Sequence, residues 1–220
     1  MKPALLFDLD GTLTDDDDLH FIVMREMFAG LGVTLDMAAF NAHIVGSLNA
    51  DIARRFFPKM DEAEAARLFE EKEALFRKRA AGALTPKAGV VDLIDFARAH
   101  DVGVALVTNA PRANADALLK AFGLTDRFQA IVSGDAVERA KPDPFPYLAG
   151  LKALGADAAR AVAFEDSRTG ASAAVGAGLT TIGIAHGEGA QALMQIGVSL
   201  TVEDFRDPRV LALVRAKLAV

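Results

Sequence analysis

Two carboxylates follow the first apolar run of the chain, within the stretch Asp-Leu-Asp-Gly-Thr at residues 8–12. Residues two apart on a strand point to the same side, so Asp8 and Asp10 are expected to lie close together. Like charges at such short range repel each other unless they share a cation or a proton. Because Mg²⁺ prefers hard oxygen ligands, the pair indicates a magnesium site, and Gly11 would let the chain turn sharply after the strand.

Three later segments carry residues that suit an anion and a metal ion. Thr108 and Asn109 precede a predicted helix, and a hydroxyl beside helix N-terminal amides forms a ready anion site. Lys141, in Lys-Pro-Asp-Pro, can neutralise a phosphate as a point charge. Glu165 and Asp166 add two carboxylates after a further apolar run. Since ligands of open α/β sheets bind at the carboxyl ends of the strands, we expect all these residues at one edge of a sheet.

The elements that must position these residues alternate between two patterns. From residue 86 onward, short apolar runs typical of buried parallel strands alternate with apolar residues at helical spacing. This alternation predicts the α/β class, with a Rossmann-like parallel sheet flanked by helices. The predicted strands cover residues 4–9, 102–107, 128–132, 161–164, 179–184 and 198–202.

Residues 17–82 interrupt this alternation after the first predicted strand. The interval has no strand-like run, and helical spacing recurs over residues 19–31, 49–57 and 61–80. The pattern predicts a helical cap inserted into the α/β core, with hinges at the two crossings near residues 15–16 and 82–83. The predicted domains are a core of residues 1–16 and 83–220 and a cap of residues 17–82.

Composition excludes several classes of protein. The 220 residues are 52% hydrophobic and 25% charged, which is typical of a globular chain rather than a disordered one. There is no Cys, so a disulfide framework and a thiolate metal site are excluded. The net charge of −6, without a basic run, disfavours nucleic acid as a partner. No apolar stretch is long enough for a membrane span or a secretory leader, so we expect a cytoplasmic protein. Its oligomeric state is expected to be a monomer or a dimer.

The order of the four motifs resembles that of the haloacid dehalogenase superfamily. The matching stretches are Asp-x-Asp-Gly-Thr from Asp8, Thr-Asn from Thr108, Lys-Pro from Lys141 and Glu-Asp from Glu165. The helical segment after the first motif is similar to the cap of the subgroup that contains phosphoglycolate phosphatases and β-phosphoglucomutases. The resemblance implies a phosphatase that acts on a small phosphomonoester, with Mg²⁺ as its cofactor.

The resemblance also implies a role for each motif residue. Asp8 would be the nucleophile that becomes an aspartyl-phosphate, and Asp10 would protonate the leaving alcohol and then activate water. Mg²⁺ would be held by the carboxylates of Asp8 and Asp166 and by the backbone carbonyl of Asp10. The other implied contributors are Thr108, Asn109 and Lys141 as phosphate ligands, Gly11 and Thr12 as supports of the loop, and Glu165 as a partner of the metal.

The polar residues outside the four motifs are not expected to take part in the chemistry directly. His20 matches a His of the β-phosphoglucomutase subgroup, which implies a place at the edge of the active site. The acidic run at residues 15–18 could form a second metal site, but a solvated loop and helix start is the favoured expectation. Within this run, Asp15 matches a recurrent hinge position of the family. Ordinary surface or packing roles are expected for His43, His100, His186, Arg54, Arg55 and Arg112. The apolar stripe expected to form the core of the cap consists of Leu68, Phe69, Leu75 and Phe76.

Three other functions share parts of this pattern. A sugar-phosphate mutase would use the same scaffold, but the β-phosphoglucomutase subgroup has an Arg near the position of Asn49 and a Ser-Lys pair where this chain has Thr-Asn-Ala-Pro-Arg at residues 108–112. A dehalogenase would use Asp8 without needing Asp10 or Asp166. A non-catalytic phospho-receiver would carry its phosphorylated Asp on a different strand from its acidic pair, and it would lack a cap.

Overall fold

The computed structural model describes residues 2–185 and 187–219, so the expectation for His186 lies outside the described residues. The strands are β1 (Lys2–Phe7), β2 (Gly103–Val107), β3 (Ala130–Val132), β4 (Ala156–Glu165), β5 (Thr180–Ile184) and β6 (Leu200–Val202). The helices are α1 (Asp17–Gly30), α2 (Met37–His43), α3 (Asn49–Phe56), α4 (Glu62–Ala80), α5 (Val90–Ala99), α6 (Arg112–Ala121), α7 (Phe145–Leu154), α8 (Arg168–Gly176), α9 (Gly187–Ile196) and α10 (Pro208–Leu218). Among the described helices, none is both long and apolar enough to cross a membrane.

The six strands form one parallel sheet in the order β3-β2-β1-β4-β5-β6. This arrangement confirms the predicted α/β fold. β1 lies at the centre, where Phe7 is level with Leu106 of β2 and Phe164 of β4. Because the strands are parallel, the ends of β1, β2 and β4 meet at one edge of the sheet, as the sequence predicted.

Alternate residues of the central strand enter two separate apolar clusters. Leu5 and Phe7 join the cluster formed with α5, α6 and α10, whereas Ala4 and Leu6 join the one formed with α7 and α8. Phe7 also stacks on Phe164, with ring centroids 4.7 Å apart. Burial on both faces explains why this strand is a continuous apolar run in the sequence.

All six strands differ from the expected bounds by one to five residues at one or both ends, and the differences in β1 and β4 have local reasons. β1 ends at Phe7, two residues early, because the chain leaves the strand and turns through Gly11, whose φ is +73°. β4 begins at Ala156, five residues early, because its first half is partly exposed and therefore lacks the apolar run used for the prediction. The later strand end keeps Glu165 in the sheet and leaves Asp166 just beyond it.

The segment at residues 17–82 contains four helices, one more than expected. α2 was missed because only Phe40 of its seven residues is buried, which leaves too short a pattern to recognise. The helices share an apolar cluster of their own, to which α4 contributes Phe69. The expectation for Phe76 was wrong, because it packs into the cluster of the sheet, together with Ala80. α4 therefore joins the cap to the core, and the division at residues 17 and 82 stays a prediction.

Candidate active site

The four motifs meet around one cavity at the carboxyl edge of the sheet. Asp8 follows β1, Thr108 follows β2, Lys141 precedes α7 and Glu165 ends β4. Helices α1, α3 and α4 close the cavity from the opposite side. The predicted site residues that line it are Asp8, Asp10, His20, Thr108, Asn109, Lys141 and Asp166.

Lys141 is the buried cation of this edge. Its Nζ lies 2.6 Å from Oδ1 of Asp8 and 2.6 Å from Oε1 of Glu165, and it donates to the carbonyl oxygen of Val107 at 2.7 Å. An ammonium has three protons, so these acceptors fix its position completely. Burial alone would lower the pKa of Lys141, but the two carboxylates outweigh burial and raise it above its usual value. Lys141 is therefore a permanent charge beside Asp8.

Three carboxylates lie close together at this edge, and Lys141 contacts two of them. Oxygen atoms of Asp8, Glu165 and Asp166, here called the strand-end cluster, lie within 4.8 Å of one another. Burial and the nearby charge of Glu165 raise the pKa of Asp8 to about 8, although Lys141 acts in the opposite direction. Burial and the charge of Asp8 likewise raise the pKa of Asp166 well above its usual value. These carboxylates resist ionisation because one positive charge is lacking. The cluster therefore suits a divalent cation that prefers oxygen ligands.

Two glycines allow these carboxylates to approach the backbone. A Cβ atom on Gly11, which has positive φ, would stand 2.3 Å from Oδ2 of Asp166. A Cβ atom on Gly170, in the first turn of α8, would stand 2.0 Å from Oε1 of Glu165. Thr12 holds Asp166 from the other side, since its Oγ1 donates to Oδ1 at 3.0 Å. The sequence pattern predicted Gly11 and Thr12 as supports of the loop, whereas it gave no role to Gly170.

Tyr147 is a second residue that sequence reasoning missed. This fully buried side chain of α7 donates its hydroxyl hydrogen to Oε1 of Glu165 at 2.5 Å. Burial and the charge of Glu165 raise the pKa of Tyr147 well above its usual value, so the phenol keeps its proton. As the only Tyr in a chain without Trp, it could have been singled out as a buried aromatic residue that needs a polar partner.

Thr108 and Asn109 differ in how their side chains are used. The Oγ1 atom of Thr108 accepts a hydrogen bond from the N–H of Ala110 at 2.9 Å, while the residue lines the cavity. The Nδ2 atom of Asn109 donates to the carbonyl oxygens of Gly46 at 2.9 Å and Lys141 at 3.1 Å, and its Oδ1 accepts from the N–H of Lys141 at 3.1 Å. The amide of Asn109 thus braces the cap and the lysine loop, and phosphate binding by Asn109 stays a prediction.

A second group of titratable residues lies in the loop after β1 and the first turn of α1. Atoms of Asp10, Asp16 and His20, here called the loop cluster, lie within 4.8 Å of one another. Burial and the charge of Asp10 raise the pKa of Asp16 well above its usual value. Burial opposes ionisation of Asp10 too, but the adjacent His20 outweighs burial and the pKa of Asp10 is lowered. The opposite shifts favour the proton of this pair on Asp16 rather than on Asp10.

The expectation that residues 15–18 are solvated was wrong for Asp16. Asp15, Asp17 and Asp18 are exposed, but Asp16 is fully buried and its Oδ1 accepts the N–H of Gly11 at 3.0 Å. The tight turn after β1 leaves that N–H without a main-chain partner, so a side chain is drawn inward to satisfy it. The crossing near residue 16 is consequently packed rather than loosely polar.

His20 lies against the cap helix α4. Its ring stacks on Phe76 with centroids 3.8 Å apart, and its Nδ1 is 3.0 Å from Nζ of Lys72. Lys72 and Glu73 are both buried, although neither was a sequence candidate. A signal did exist, because the two charges occupy the positions of the apolar face between Phe69 and Phe76.

The arginine candidates lie away from the cavity. Arg54 and Arg112 pair with acidic residues of their own helices, and Arg55 lies 3.1 Å from Nε2 of His43. None of these three described arginines lines the cavity. Their geometry agrees with the solvated roles expected from the sequence.

Known proteins are similar to this chain in both sequence and fold. The family model described as haloacid dehalogenase-like hydrolase matches residues 5–184. The protein CbbY of Rhodobacter capsulatus is 35% identical over 191 residues, which cover 81% of this chain and 83% of that protein. The phosphoglycolate phosphatase of Rhodospirillum rubrum is 32% identical, with 93% of this chain and 88% of the enzyme covered.

Solved structures give the same result. The crystal structure of CbbY from Rhodobacter sphaeroides in complex with phosphate superposes with a TM-score of 0.82 at 29% identity, covering 94% of this chain and 96% of that one. A hydrolase from Entamoeba histolytica has a TM-score of 0.86 at 27% identity, covering 96% and 97%. These likenesses confirm the predicted class of enzyme, a phosphatase. The chain belongs to the haloacid dehalogenase-like hydrolase family.

Proposed function

We propose that the protein is a Mg²⁺-dependent phosphatase which hydrolyses a small phosphomonoester through an aspartyl-phosphate on Asp8. The observation that carries the proposal is the position of the Asp8 carboxylate. It faces the cavity beside a permanent ammonium, 2.6 Å from Nζ of Lys141, and within reach of the Asp166 carboxylate. A nucleophile and the charges that neutralise phosphoryl oxygens are the main requirements of phosphoryl transfer.

The strand-end cluster supplies the ligands for the metal. Asp8 and Asp166 would hold Mg²⁺ together with the backbone carbonyl of Asp10. When bound, the ion would supply positive charge to the phosphoryl oxygens and to the crowded carboxylates. Glu165 keeps Lys141 in place and is itself held by Tyr147.

In the proposed mechanism, Asp8 and Asp10 catalyse two steps, which are phosphoryl transfer to Asp8 and hydrolysis of the aspartyl-phosphate. An oxygen of Asp8 attacks phosphorus, the bond from phosphorus to the ester oxygen breaks, and Asp10 gives the departing alkoxide the proton that it shares with Asp16. Asp10, now a carboxylate, then takes a proton from water as the water oxygen attacks phosphorus. The bond between Asp8 and phosphorus breaks, phosphate leaves, and Asp10 is again protonated.

The shape of the site supports a small, polar substrate. The cavity volume is about 80 Å³, and its cap side presents Ser47, Asn49, Lys72 and Glu73. Relatives include a Thermotoga maritima enzyme named as a phosphatase of phosphorylated carbohydrates, and CbbY of Rhodobacter sphaeroides has been solved with xylulose-1,5-bisphosphate. We therefore include sugar phosphates and phosphoglycolate in the substrate class.

Mutase activity has less support from the geometry. The amide of Asn49, near the position of the arginine in the mutase cap, donates its hydrogen to Oε1 of Glu73 at 2.8 Å. A side chain held in this way contributes to the cap rather than to a second phosphate site.

A panel of phosphomonoesters, assayed for kcat/KM with Mg²⁺ and after chelation, tests the proposal. We expect turnover of at least one sugar or hydroxy-acid phosphate with Mg²⁺ and its loss with chelator. Acid quenching during turnover of ³²P-labelled substrate should trap label on the wild-type protein but not on Asp8→Asn. Hydrolysis that persists without any divalent cation, or label retained by Asp8→Asn, would contradict the proposal.

A further inference from the structure

A buried carboxylate forms part of the cap-side wall of the catalytic cavity. Glu73 lies on α4, lines the cavity, and has only 4% of its side chain exposed. Its Oε1 atom accepts from Nδ2 of Asn49 at 2.8 Å and from Nζ of Lys72 at 3.0 Å, while its Oε2 atom accepts from Nδ2 of Asn114 at 2.7 Å. Donors from α3, α4 and α6 therefore hold this carboxylate in one position at the wall.

The same donors favour the ionised form of Glu73. Burial alone would raise the pKa of Glu73, but the charge of Lys72 and the hydrogen bonds from Asn49 and Asn114 lower it. The wall of the cavity thus carries a fixed negative charge. Because charges interact more strongly in a buried site than in water, this charge opposes any second anion that enters beside it.

The permanent positive charges around the cavity already have partners. Among the described residues that line it, these cations are Lys72 and Lys141. Lys141 contacts Asp8 and Glu165 at the strand ends, where the phosphoryl group is proposed to react. Lys72 forms its ion pair with Glu73. The described part of the cap-side wall therefore offers hydrogen-bonding groups without a spare positive charge.

A wall of this kind distinguishes hydroxyl groups from anionic groups. A hydroxyl can donate to a carboxylate and can also accept from an amide, whereas an ionised carboxylate or phosphate can only accept. Ser47 and Asn49, which line the cavity beside Glu73, add polar groups without charge. The wall thus suits the hydroxyls of a sugar or polyol better than a second acidic group.

We propose that Glu73 is a specificity-determining residue, which admits phosphomonoesters with an uncharged organic part and rejects those with a second anionic group. The inference deepens the proposed function and rests on it. Within the substrate class given above, it favours sugar and polyol monophosphates over phosphoglycolate and bisphosphates. A like charge built against the wrong ligand is a general means of discrimination. The preference would separate this chain from CbbY of Rhodobacter sphaeroides, whose D10N mutant has been solved with xylulose-1,5-bisphosphate.

Two matched pairs of substrates test the role of charge on the full chain with Mg²⁺. Glycerol 3-phosphate differs from 3-phosphoglycerate, and 2-hydroxyethyl phosphate from phosphoglycolate, by a CH₂OH group in place of a carboxylate. We expect the wild-type kcat/KM to be about 10²-fold higher for the uncharged member, because juxtaposed like charges are costly at a binding site. Each compound is also assayed as a competitive inhibitor of p-nitrophenyl phosphate hydrolysis, which measures pairs that bind without turnover.

Glu73→Gln removes the charge and keeps the size of the side chain. The ratio of kcat/KM within each pair should fall about 10-fold or more, chiefly because the anionic member improves once Lys72 loses its ion-pair partner. A smaller folded fraction lowers both rates equally and leaves the ratio unchanged, so loss of stability cannot imitate this result. Glu73→Ala, which introduces no amide, should shift the ratio in the same direction.

Glu71→Gln is the matched control, because it makes the same change of charge at an exposed position of α4. It should leave the ratio as in the wild type. A control variant that shifted the ratio as far as Glu73→Gln would show that net charge, rather than the buried carboxylate, sets the preference.

A wild type that handles both members of each pair equally, or a Glu73→Gln variant that keeps the wild-type ratio, would overturn the role of Glu73. Continued hydrolysis of p-nitrophenyl phosphate with Mg²⁺ would then leave the proposed function intact. If the wild type hydrolyses no phosphomonoester and takes no label on Asp8, the proposed function itself fails. The two failures are therefore distinguishable within one set of measurements.

Discussion

The strand-end cluster and the loop cluster each crowd carboxylates into a buried space, but they balance the charge differently. The strand-end cluster has one ammonium in direct contact with two of its three carboxylates, and the pKa values of Asp8 and Asp166 remain raised. In the loop cluster, the pKa of Asp16 is raised, whereas the pKa of Asp10 is lowered beside a histidine. The strand-end cluster lacks a positive charge, whereas the loop cluster is balanced once Asp10 and Asp16 share a single proton.

This difference separates two requirements of phosphoryl transfer. A cluster that lacks positive charge is suited to bind a cation, which would fix the reacting groups around it. A cluster that shares one proton can give that proton up and take it back at little cost, because both forms are already accommodated. In the proposed mechanism, Asp8 and Asp10, two residues apart in one loop, would therefore serve different chemistry.

The largest effect is expected in the strand-end cluster. Asp8→Asn preserves shape but removes the nucleophile and one metal ligand, so turnover should fall on the order of 10⁴-fold or more. Steady-state hydrolysis of p-nitrophenyl phosphate measures it, with thermal unfolding as the check on folding. Activity near that of wild type would remove Asp8 from the mechanism.

In the loop cluster, Asp10→Asn should cost less and depend on the substrate. Loss of a general acid typically slows a step by about 10²–10⁴-fold. In single-turnover phosphorylation, the loss should be large for alkyl phosphates and small for p-nitrophenyl phosphate. Equal losses for the two substrates would show that Asp10 does not act as the acid.

Magnesium should stabilise the protein more at alkaline pH than at acid pH. The folded pKa of Asp8, about 8, lies above the ordinary value of 3.8, so the metal-free folded state holds a proton that the unfolded state releases. The stability that this proton contributes is fully present below about pH 4 and is lost as pH rises through about 8. Mg²⁺ favours the ionised form, so the rise in Tm on adding Mg²⁺ should be larger at pH 8 than at pH 5.

Asp8→Asn provides the control, since an amide does not titrate and its Mg²⁺ response should vary less with pH. A Tm shift that is the same at both pH values in the wild type would contradict the charge balance described for the strand-end cluster.

The smallest effect is expected for Asp16→Asn. The protonated Asp16 carboxyl and an amide can both accept from the N–H of Gly11 and donate towards Asp10, so activity should stay within about 10-fold of wild type. Asp16→Ala instead leaves that N–H without a partner, which should cost about 1–3 kcal/mol of stability. Chemical denaturation measures the stability of both variants. An Asn variant that is destabilised as much as the Ala variant would show that Asp16 is needed as a carboxylate.

The sequence predicted the strand ends and the residues on them because that information is local. An apolar run that stops at polar residues identifies Asp8, Thr108 and Glu165 without knowledge of packing, and parallel strands bring them to one edge. The bonds of Lys72 and Glu73 depend on how α4 rests on α6, which no short segment encodes. Asp16 was misjudged for a related reason, since three of the four acidic residues in its run are exposed.

The central place of β1 also constrains the folding pathway. Ala4 pairs with Gly103 on one side and Ala161 on the other, so every ladder of this strand closes a loop of about 100 residues or more. The cap helices find their partners within a few tens of residues, because their apolar cluster is drawn from one continuous segment. Local contacts form faster than distant ones, so the helices should gain structure early and the sheet should be completed late. Refolding kinetics should therefore be limited by assembly around β1, the strand that delivers Asp8.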